Sequence, residues 1–399
     1  KINDADYFAF DTEITSLNSL DAEIVGASFS FKKDEGFYLP INHVEQTELN
    51  ASELIGWLKK ILEGNQNKII GQNLKYDIAV LKNHNINIKA FFADTMLMSY
   101  ATNSTSSRHN LDALAEYYLN TTTIKYEDVI GKGAKKYKNF SEVPIKEATN
   151  YAAEDADITL QLYEKLVKII DKSSIELLET IDYPLLFVLL EMERKGALID
   201  TNHLNKLSKE FGAKLLNLVQ KIHGASGSVF NIDSPKQLSE ILFEKLQIDT
   251  KGLKKTSTGY FSTSESVLQK LSDENEIVKD ILEYRSLAKL KSTYTDKISE
   301  ICDQNSRVHT SYHQAVTSTG RLSSSDPNLQ NIPIRTKEGI TIREAFIAPK
   351  NKKILAMDYS QIELRLMAHY SQDPIMLNSF KNDEDIHKRT ASEIFGIEI

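Results

Sequence analysis

Four carboxylates, Asp11, Glu13, Asp77 and Asp155, occupy positions from which strand and helix patterns can bring them together. Asp11 and Glu13 close the apolar run in YFAFDTE, and strand side chains two apart point to the same face, so this pair shares one site. Asp77 ends GQNLKYD, just past the short apolar run KIIG. Asp155 lies in YAAEDADITLQL, where Tyr151, Asp155, Ile158 and Leu162 recur at i, i+4, i+7 and i+11, so one acid interrupts an otherwise apolar or aromatic helix stripe. A carboxylate in such a stripe is costly unless something neutralises it. Two partners are open: a Lys or Arg from elsewhere in the fold, or a hard cation such as Mg²⁺ or Mn²⁺ that favours oxygen ligands. Four acids on one scaffold suit two-metal hydrolysis of a phosphodiester, with two ions about 4 Å apart acting on the attacking water and the leaving 3′ oxygen. Tyr151, one turn before Asp155, is placed to hold that water.

The elements that must position these groups follow from local pattern. YFAFD (7–11), IVGASFSF (24–31) and GFYLP (36–40) read as strands, the last two joined by a polar turn from Lys33 to Gly36. Helical patterns follow at 51–63, 76–83, 94–101 and 110–119, with KIIG (68–71) as a buried strand between the first two. A long helical pattern from Ile145 to Ile170 closes an α/β region in which a mixed sheet is flanked by helices. From Ile175 the pattern changes to long amphipathic helices rich in Leu, Lys and Glu, which marks a second domain. KKTSTGYFSTSES (254–266) interrupts it as a loop whose Ser and Thr suit helix caps. After Arg307 the pattern returns to short strands and Pro-containing loops, then a strand ILAMD (354–358) and a helix from Ser360.

Bulk properties bound the classes. A chain of 399 residues exceeds what one core usually organises. Its apolar runs are too short to span a bilayer, which predicts no membrane association and a cytoplasmic location. The single cysteine, Cys302, excludes an internal disulfide and a Cys-based zinc site. Net charge is −8, yet Lys251, Lys254 and Lys255, and then Arg285, Lys289, Lys291 and Lys297, form local basic clusters that could meet phosphate or simply face solvent. GKGAKK (131–136) lacks the spacing of a phosphate loop and reads as a flexible basic loop.

In this order, FDTE, GQNLKYD and YAAEDAD resemble the three motifs of the proofreading 3′ to 5′ exonuclease domain of the DNA polymerase I family, family A. The resemblance implies an RNase H-like exonuclease domain over 1–172, with Asp11, Glu13, Asp77 and Asp155 as metal ligands and Tyr151 as the water-positioning residue. Leu17, Asn73 and Tyr76 would contact the terminal nucleotides of a single-stranded 3′ end. The segment HTSYHQAVTSTGRLSSSDPNLQNIPIR (309–335) offers hydrogen-bonding side chains for a duplex backbone and minor groove, or equally the turn chemistry of a polar loop. It too resembles the family, where Arg321, Gln330 and Asn331 would follow the primer terminus and template. LAMDYSQIELR (355–365) resembles the motif that carries the first metal-binding aspartate of the polymerase, here Asp358, with the Tyr359 carbonyl also facing the metal. Glu363 would exclude a ribose 2′-hydroxyl, although Ser360 to Glu363 also fits a capping box, and both readings are compatible. Gln361 and His387 would contact the incoming dNTP, and Arg285 and Lys289 the duplex backbone.

The resemblance thus implies a polymerase domain over 173–399, with thumb at about 200–300, palm at about 307–370 and the start of the fingers at about 371–399. It implies a monomer acting on primer-template DNA, with two Mg²⁺ or Mn²⁺ ions per active site. The fingers motif and the second catalytic aspartate do not occur, so nucleotidyl transfer by these residues alone is expected to fail while the exonuclease set is complete. Lys1 in place of Met points to a portion of a larger protein. The rival readings are a free-standing 3′ to 5′ exonuclease and a catalytically inert DNA-binding protein.

Overall fold

Strands β1 (Tyr7–Ile14), β2 (Ile24–Lys32), β3 (Glu35–Pro40), β4 (Lys68–Gly71) and β5 (Phe92–Asp94) form one five-stranded sheet in the order β3-β2-β1-β4-β5. In this computed structural model all residues are described except 1, 3, 4, 46–48, 65–67, 89–91, 107, 134, 135 and 397–399. The β1/β2 and β2/β3 pairs are antiparallel, and β1/β4 and β4/β5 are parallel, so the sheet is mixed as expected. β1 is central, and Phe8, Ala9 and Phe10 are all buried. Burial on both faces explains why this strand reads as a continuous apolar run. The expected turn between β2 and β3 forms with Asp34 in the left-handed region at φ 63. β5 has only three residues, too few for a periodic signal. The basic stretch 131–136 is in part outside the described residues, at 134 and 135.

Around the sheet run α1 (Ala51–Gly64), α2 (Leu74–Asn83), α3 (Thr95–Thr102), α4 (Leu111–Leu114), α5 (Tyr126–Ile130), α6 (Ile145–Leu166), α7 (Lys172–Leu177) and α8 (Tyr183–Lys195). α4 continues as a π-helical turn over Ala115–Leu119, and α6 ends four residues before the expected Ile170. α8 was expected with the second domain, yet its Tyr183, Leu186 and Leu190 are buried in the same core as Phe8, Ile69 and Phe92. The ring of Tyr183 lies 4.9 Å from that of Phe92.

Beyond this core, α9 (Thr201–Ser226) and the helix Glu276–Leu290 organise two further clusters, one around Leu204, Phe211, Leu290 and Ile298, the other around Ile222, Leu242, Val278 and Ile281. Ser264 precedes the helix Glu265–Ser272 but makes no side-chain cap bond. Short antiparallel pairs join Ala197–Leu198 to Arg307–Val308 and Ser311–His313 to Ser323–Ser325.

Contacts divide the chain into two compact units, Lys1–Ile347 and Ala348–Ile399. In the second unit the expected strand ILAMD does not form: residues 351–359 are exposed and outside any strand or helix. A strand needs a hydrogen-bonding neighbour, and among the described residues none lies beside it. The next helix begins at Ile362 rather than Ser360. Its N-cap is Gln361, in the left-handed region at φ 52 and without a side-chain cap bond, so Ser360 does not take the N-cap position that the expected capping box requires.

Candidate active site

The carboxylates meet where β1 ends. Asp11 is paired with Ser28 and Glu13 with Gly26, and the register shifts between Glu13 and Ile14. Such an irregularity ends regular pairing and re-aims the neighbouring side chains. α6 packs across β1, β2 and β3 and brings Asp155 to the same place. One carboxylate oxygen from each of Asp11, Glu13 and Asp155 lies within 4.8 Å of the others. Asp77, in the first turn of α2, is held one step away: its Oδ1 accepts from the Thr12 amide at 3.0 Å and the Thr12 hydroxyl at 2.6 Å. Thr12 was not singled out by sequence reasoning, since its partner is distant in the chain.

Burial makes this cluster reluctant to ionise. The Asp11 carboxyl is pushed up to about 7, chiefly by burial, with the Thr12 amide acting in the opposite direction. Glu13 is raised well above the usual range by burial and then by Asp11, Asp155 and Asp77. Asp77 is raised by burial and Asp11, and lowered by its Thr12 bonds. Asp155 is raised by burial and Asp11, partly offset by the Tyr151 hydroxyl; the charged neighbours that act on it, Asp11, Glu154 and Asp112, are all acids. The Lys or Arg alternative therefore has no counterpart around Asp155 among the described residues. Glu13 Oε1 is buried with no hydrogen-bond partner. A buried orphan acceptor amid three other carboxyls is matched to a hard cation.

Tyr151 is partly buried, 5.8 Å from Phe140 and edge-on to Tyr126 at 6.2 Å. Burial and Asp155 raise its pKa strongly, so its hydroxyl keeps its proton. Tyr126, 46% exposed on the unanticipated α5, presents a ring beside the cluster. Asn73 is the left-handed N-cap of α2 at φ 59, and its amide donates to Asp94 Oδ1 at 3.1 Å. The buried Asp94 also accepts from the amides of Leu74, Met96 and Leu97, so one carboxylate ties the N-termini of α2 and α3. Tyr76 donates to the Ser16 carbonyl at 2.6 Å, with its pKa pushed up to about 12 by burial. Leu17, 90% exposed, lines a cavity of about 410 Å³ together with Asn73, Tyr76, Arg194 and His309.

The residues expected to meet a duplex are scattered by comparison. Arg285 is half-buried and donates to the Thr263 carbonyl, anchoring the 254–266 loop, and burial lowers its pKa. Lys289 is exposed on the same helix. Arg321 and Gln330 are exposed, and the Asn331 carbonyl accepts from the Tyr294 hydroxyl at 2.7 Å. In the second unit Asp358, Tyr359 and His387 are exposed, Gln361 Nε2 reaches Asp385 Oδ1 at 3.5 Å, and Glu363 stands in the first turn of its helix.

Comparison with known proteins finds two family models on this chain: 3′-5′ exonuclease over residues 1–171 and DNA polymerase family A over 201–399. DNA polymerase I of Pseudomonas aeruginosa is 47% identical over 406 residues, covering 100% of this chain and 44% of that protein. DNA polymerase I of Borreliella burgdorferi is 40% identical over 397 residues, covering 99% of this chain and 42% of that protein. DNA polymerase I of Bacillus subtilis is 39% identical over 394 residues, covering 98% and 43%. The chain thus spans less than half the length of these relatives. Among solved structures, the POL domain of Pol1 from M. smegmatis in complex with DNA primer-template and dNTP matches with a TM-score of 0.81 at 27% identity, covering 100% of this chain and 65% of that one.

Proposed function

Because this chain belongs to DNA polymerase family A, we propose that residues 1–172 are a 3′ to 5′ exonuclease acting on single-stranded DNA ends, and that residues 173–399 contribute to a template-directed DNA polymerase. The observation that carries the exonuclease reading is the convergence of Asp11, Glu13 and Asp155 within 4.8 Å, with Glu13 Oε1 buried and unpartnered. Asp11, Glu13 and Asp155 would hold Mg²⁺ or Mn²⁺, with Asp77 supplying a further carboxylate. Bound divalent ions would make a water nucleophilic near neutral pH and stabilise the departing 3′ oxygen.

The chain's own residues do the rest. Tyr151, its hydroxyl kept protonated, can fix a water against Asp155. Thr12 locks Asp77 in one rotamer through two hydrogen bonds, which holds that carboxylate for its task. Tyr126 and Leu17 offer faces on which unpaired bases stack or rest, a sequence-tolerant mode suited to a proofreader. In the polymerase portion, Asp358 and the Tyr359 carbonyl would hold metal, Gln361, Glu363 and His387 would meet the dNTP, and Arg285, Lys289, Arg321, Gln330 and Asn331 the primer-template. Arg285 would act there by bracing the 254–266 loop as well as through its charge. A monomer working in the cytoplasm suits this reading.

The test is digestion of a 5′-labelled single-stranded oligonucleotide in Mg²⁺ by the full chain and by Asp155→Ala. Stepwise shortening from the 3′ end is expected, with the variant slower by on the order of 10³-fold, equivalent to several kcal/mol of lost transition-state stabilisation. Equal inertness of both proteins would sink the exonuclease reading, and equal activity the role of Asp155.

A further inference from the structure

Beside Glu13 runs a chain of polar groups that the proposed hydrolysis leaves unused. Tyr38, on β3, lies across Gly26 of β2: a Cβ on Gly26 would fall 2.1 Å from the Tyr38 hydroxyl oxygen and 2.3 Å from its Cζ. Only glycine permits that approach. Gly26 is the cross-strand partner of Glu13, and the Cβ positions of such partners lie about 4.5–5.5 Å apart on one face of the sheet. The Tyr38 hydroxyl is thereby located next to the Glu13 side chain. Consistently, the charged groups that act on Tyr38 are Glu13 and Asp11, which with burial push its pKa up.

Hydrogen-bond direction determines which atoms face the cluster. His43 Nδ1 is 3.0 Å from the Val143 carbonyl, which can only accept, so Nδ1 carries the proton. Burial lowers the His43 pKa, which keeps the ring neutral and makes Nε2 an acceptor. The Tyr38 hydroxyl, 2.7 Å from Nε2, therefore donates to it. Its proton is committed away from the carboxylates, and its oxygen is left as an acceptor on the Glu13 side. Glu13 Oε1 is itself an unpartnered acceptor, and Ser28 Oγ, at the position paired with both Asp11 and Tyr38, is buried without a partner. Two neighbouring acceptors call for a cation or a water donating to both.

We infer that Tyr38, oriented by His43 and admitted by Gly26, is a positioning residue of the carboxylate centre, presenting a fixed acceptor to the hydration shell of a cation held by Glu13. This rests on the exonuclease reading above. Groups of this kind around a metal site typically change metal affinity by about 10- to 100-fold when removed.

The test is Mn²⁺ binding to the full chain without DNA, followed by titration calorimetry, for wild type, Asp155→Ala, Tyr38→Phe, His43→Leu and the Tyr38→Phe/His43→Leu double variant. Tyr38→Phe and His43→Leu should each weaken Mn²⁺ binding about tenfold. The double variant should be no weaker than the weaker single, because both act through one hydroxyl. In oligonucleotide digestion the half-saturating Mn²⁺ concentration should rise in step while the rate at saturating Mn²⁺ stays within about twofold of wild type, a split that loose packing alone would not produce. Wild-type Mn²⁺ affinity in Tyr38→Phe, or losses that multiply in full in the double variant, would overturn the inference. Should Tyr38→Phe fail to fold, His43→Leu and Gly26→Ala, which displaces the same hydroxyl, carry the comparison. If Asp155→Ala loses Mn²⁺ and Tyr38→Phe does not, only the role of Tyr38 falls. If wild type binds none, the exonuclease reading falls with it.

Discussion

At the scale of single residues, the acids at the end of β1 are held at odds with their ordinary chemistry, and that has a measurable sign. Asp11 is pushed from 3.8 in the unfolded chain to about 7 in the fold, chiefly by burial. Between those values the folded state keeps a proton that the unfolded state has released. Stability therefore falls as pH rises across that window, by up to about 1.4 kcal/mol per pH unit for one proton, and levels off above about 7. Glu13, Asp77 and Asp155 are raised in the same direction and add to the trend. A divalent cation that binds the folded state replaces those protons, so its stabilising effect should grow with pH. Thermal melts of the metal-free chain at pH 6 and pH 8, with and without Mg²⁺, should show a larger Mg²⁺ gain at pH 8; an equal or smaller gain there would contradict the assignment of the cluster as a cation site. Tyr151 yields a separate expectation. Tyr151→Phe keeps the ring among Phe140 and Tyr126 but removes the hydroxyl, so single-turnover cleavage should slow by about 10- to 100-fold with little change in oligonucleotide affinity. Loss of affinity without loss of rate would make it a packing residue instead.

At the scale of elements, Asp94 links two helices through one buried carboxylate. Its oxygens accept from Asn73 and Leu74 at the start of α2 and from Met96 and Leu97 at the start of α3. Asp94→Ala strips both caps and should lower stability by about 2 to 4 kcal/mol, read from the denaturant midpoint. Asp94→Asn, which keeps one acceptor oxygen, should fall between; an unchanged midpoint in Asp94→Ala would show that water replaces the carboxylate. This device also marks the boundary of what the chain reveals when read linearly. β1 to β4 were legible as short apolar runs bounded by polar residues, α6 because its apolar positions recur at helical spacing, and Asp155 because an acid broke that spacing. Thr12, Asp94, Tyr38 and His43 were not, because each acts through a partner brought near only by sheet register or helix packing. ILAMD has the composition of a strand yet lies exposed and outside any strand, since composition supplies propensity but not a ladder partner. The convergence of Asp77 was read only in part: its pattern placed it near the cluster, but not its capture by Thr12.

At the scale of the whole molecule, the two compact units differ in how much they bury. Lys1–Ile347 contains the clusters around Phe8, Leu204 and Ile222, whereas in Ala348–Ile399 the buried side chains among the described residues are Ala368 and Ser379. Local stability follows buried apolar contact, so the second unit should open at far lower free energy than the first. Residues 350–360 are exposed and include Lys350, Lys352 and Lys353. A competing exposed site, the loop carrying Lys254 and Lys255, is pinned by the Ser262 amide to the Lys254 carbonyl, by Thr256 to Tyr260 and by Arg285 to Thr263. Limited trypsin digestion should therefore cut first within 350–353. The product ending there should retain the proposed 3′ to 5′ exonuclease activity, because Asp11, Glu13, Asp77, Tyr151 and Asp155 and the elements that hold them all lie in the first unit. Early cleavage at Lys254 or Lys255 would show that the pinned loop is the weaker point. Loss of nuclease activity on cutting at 350–353 would show that the carboxylate centre depends on residues beyond Ile347.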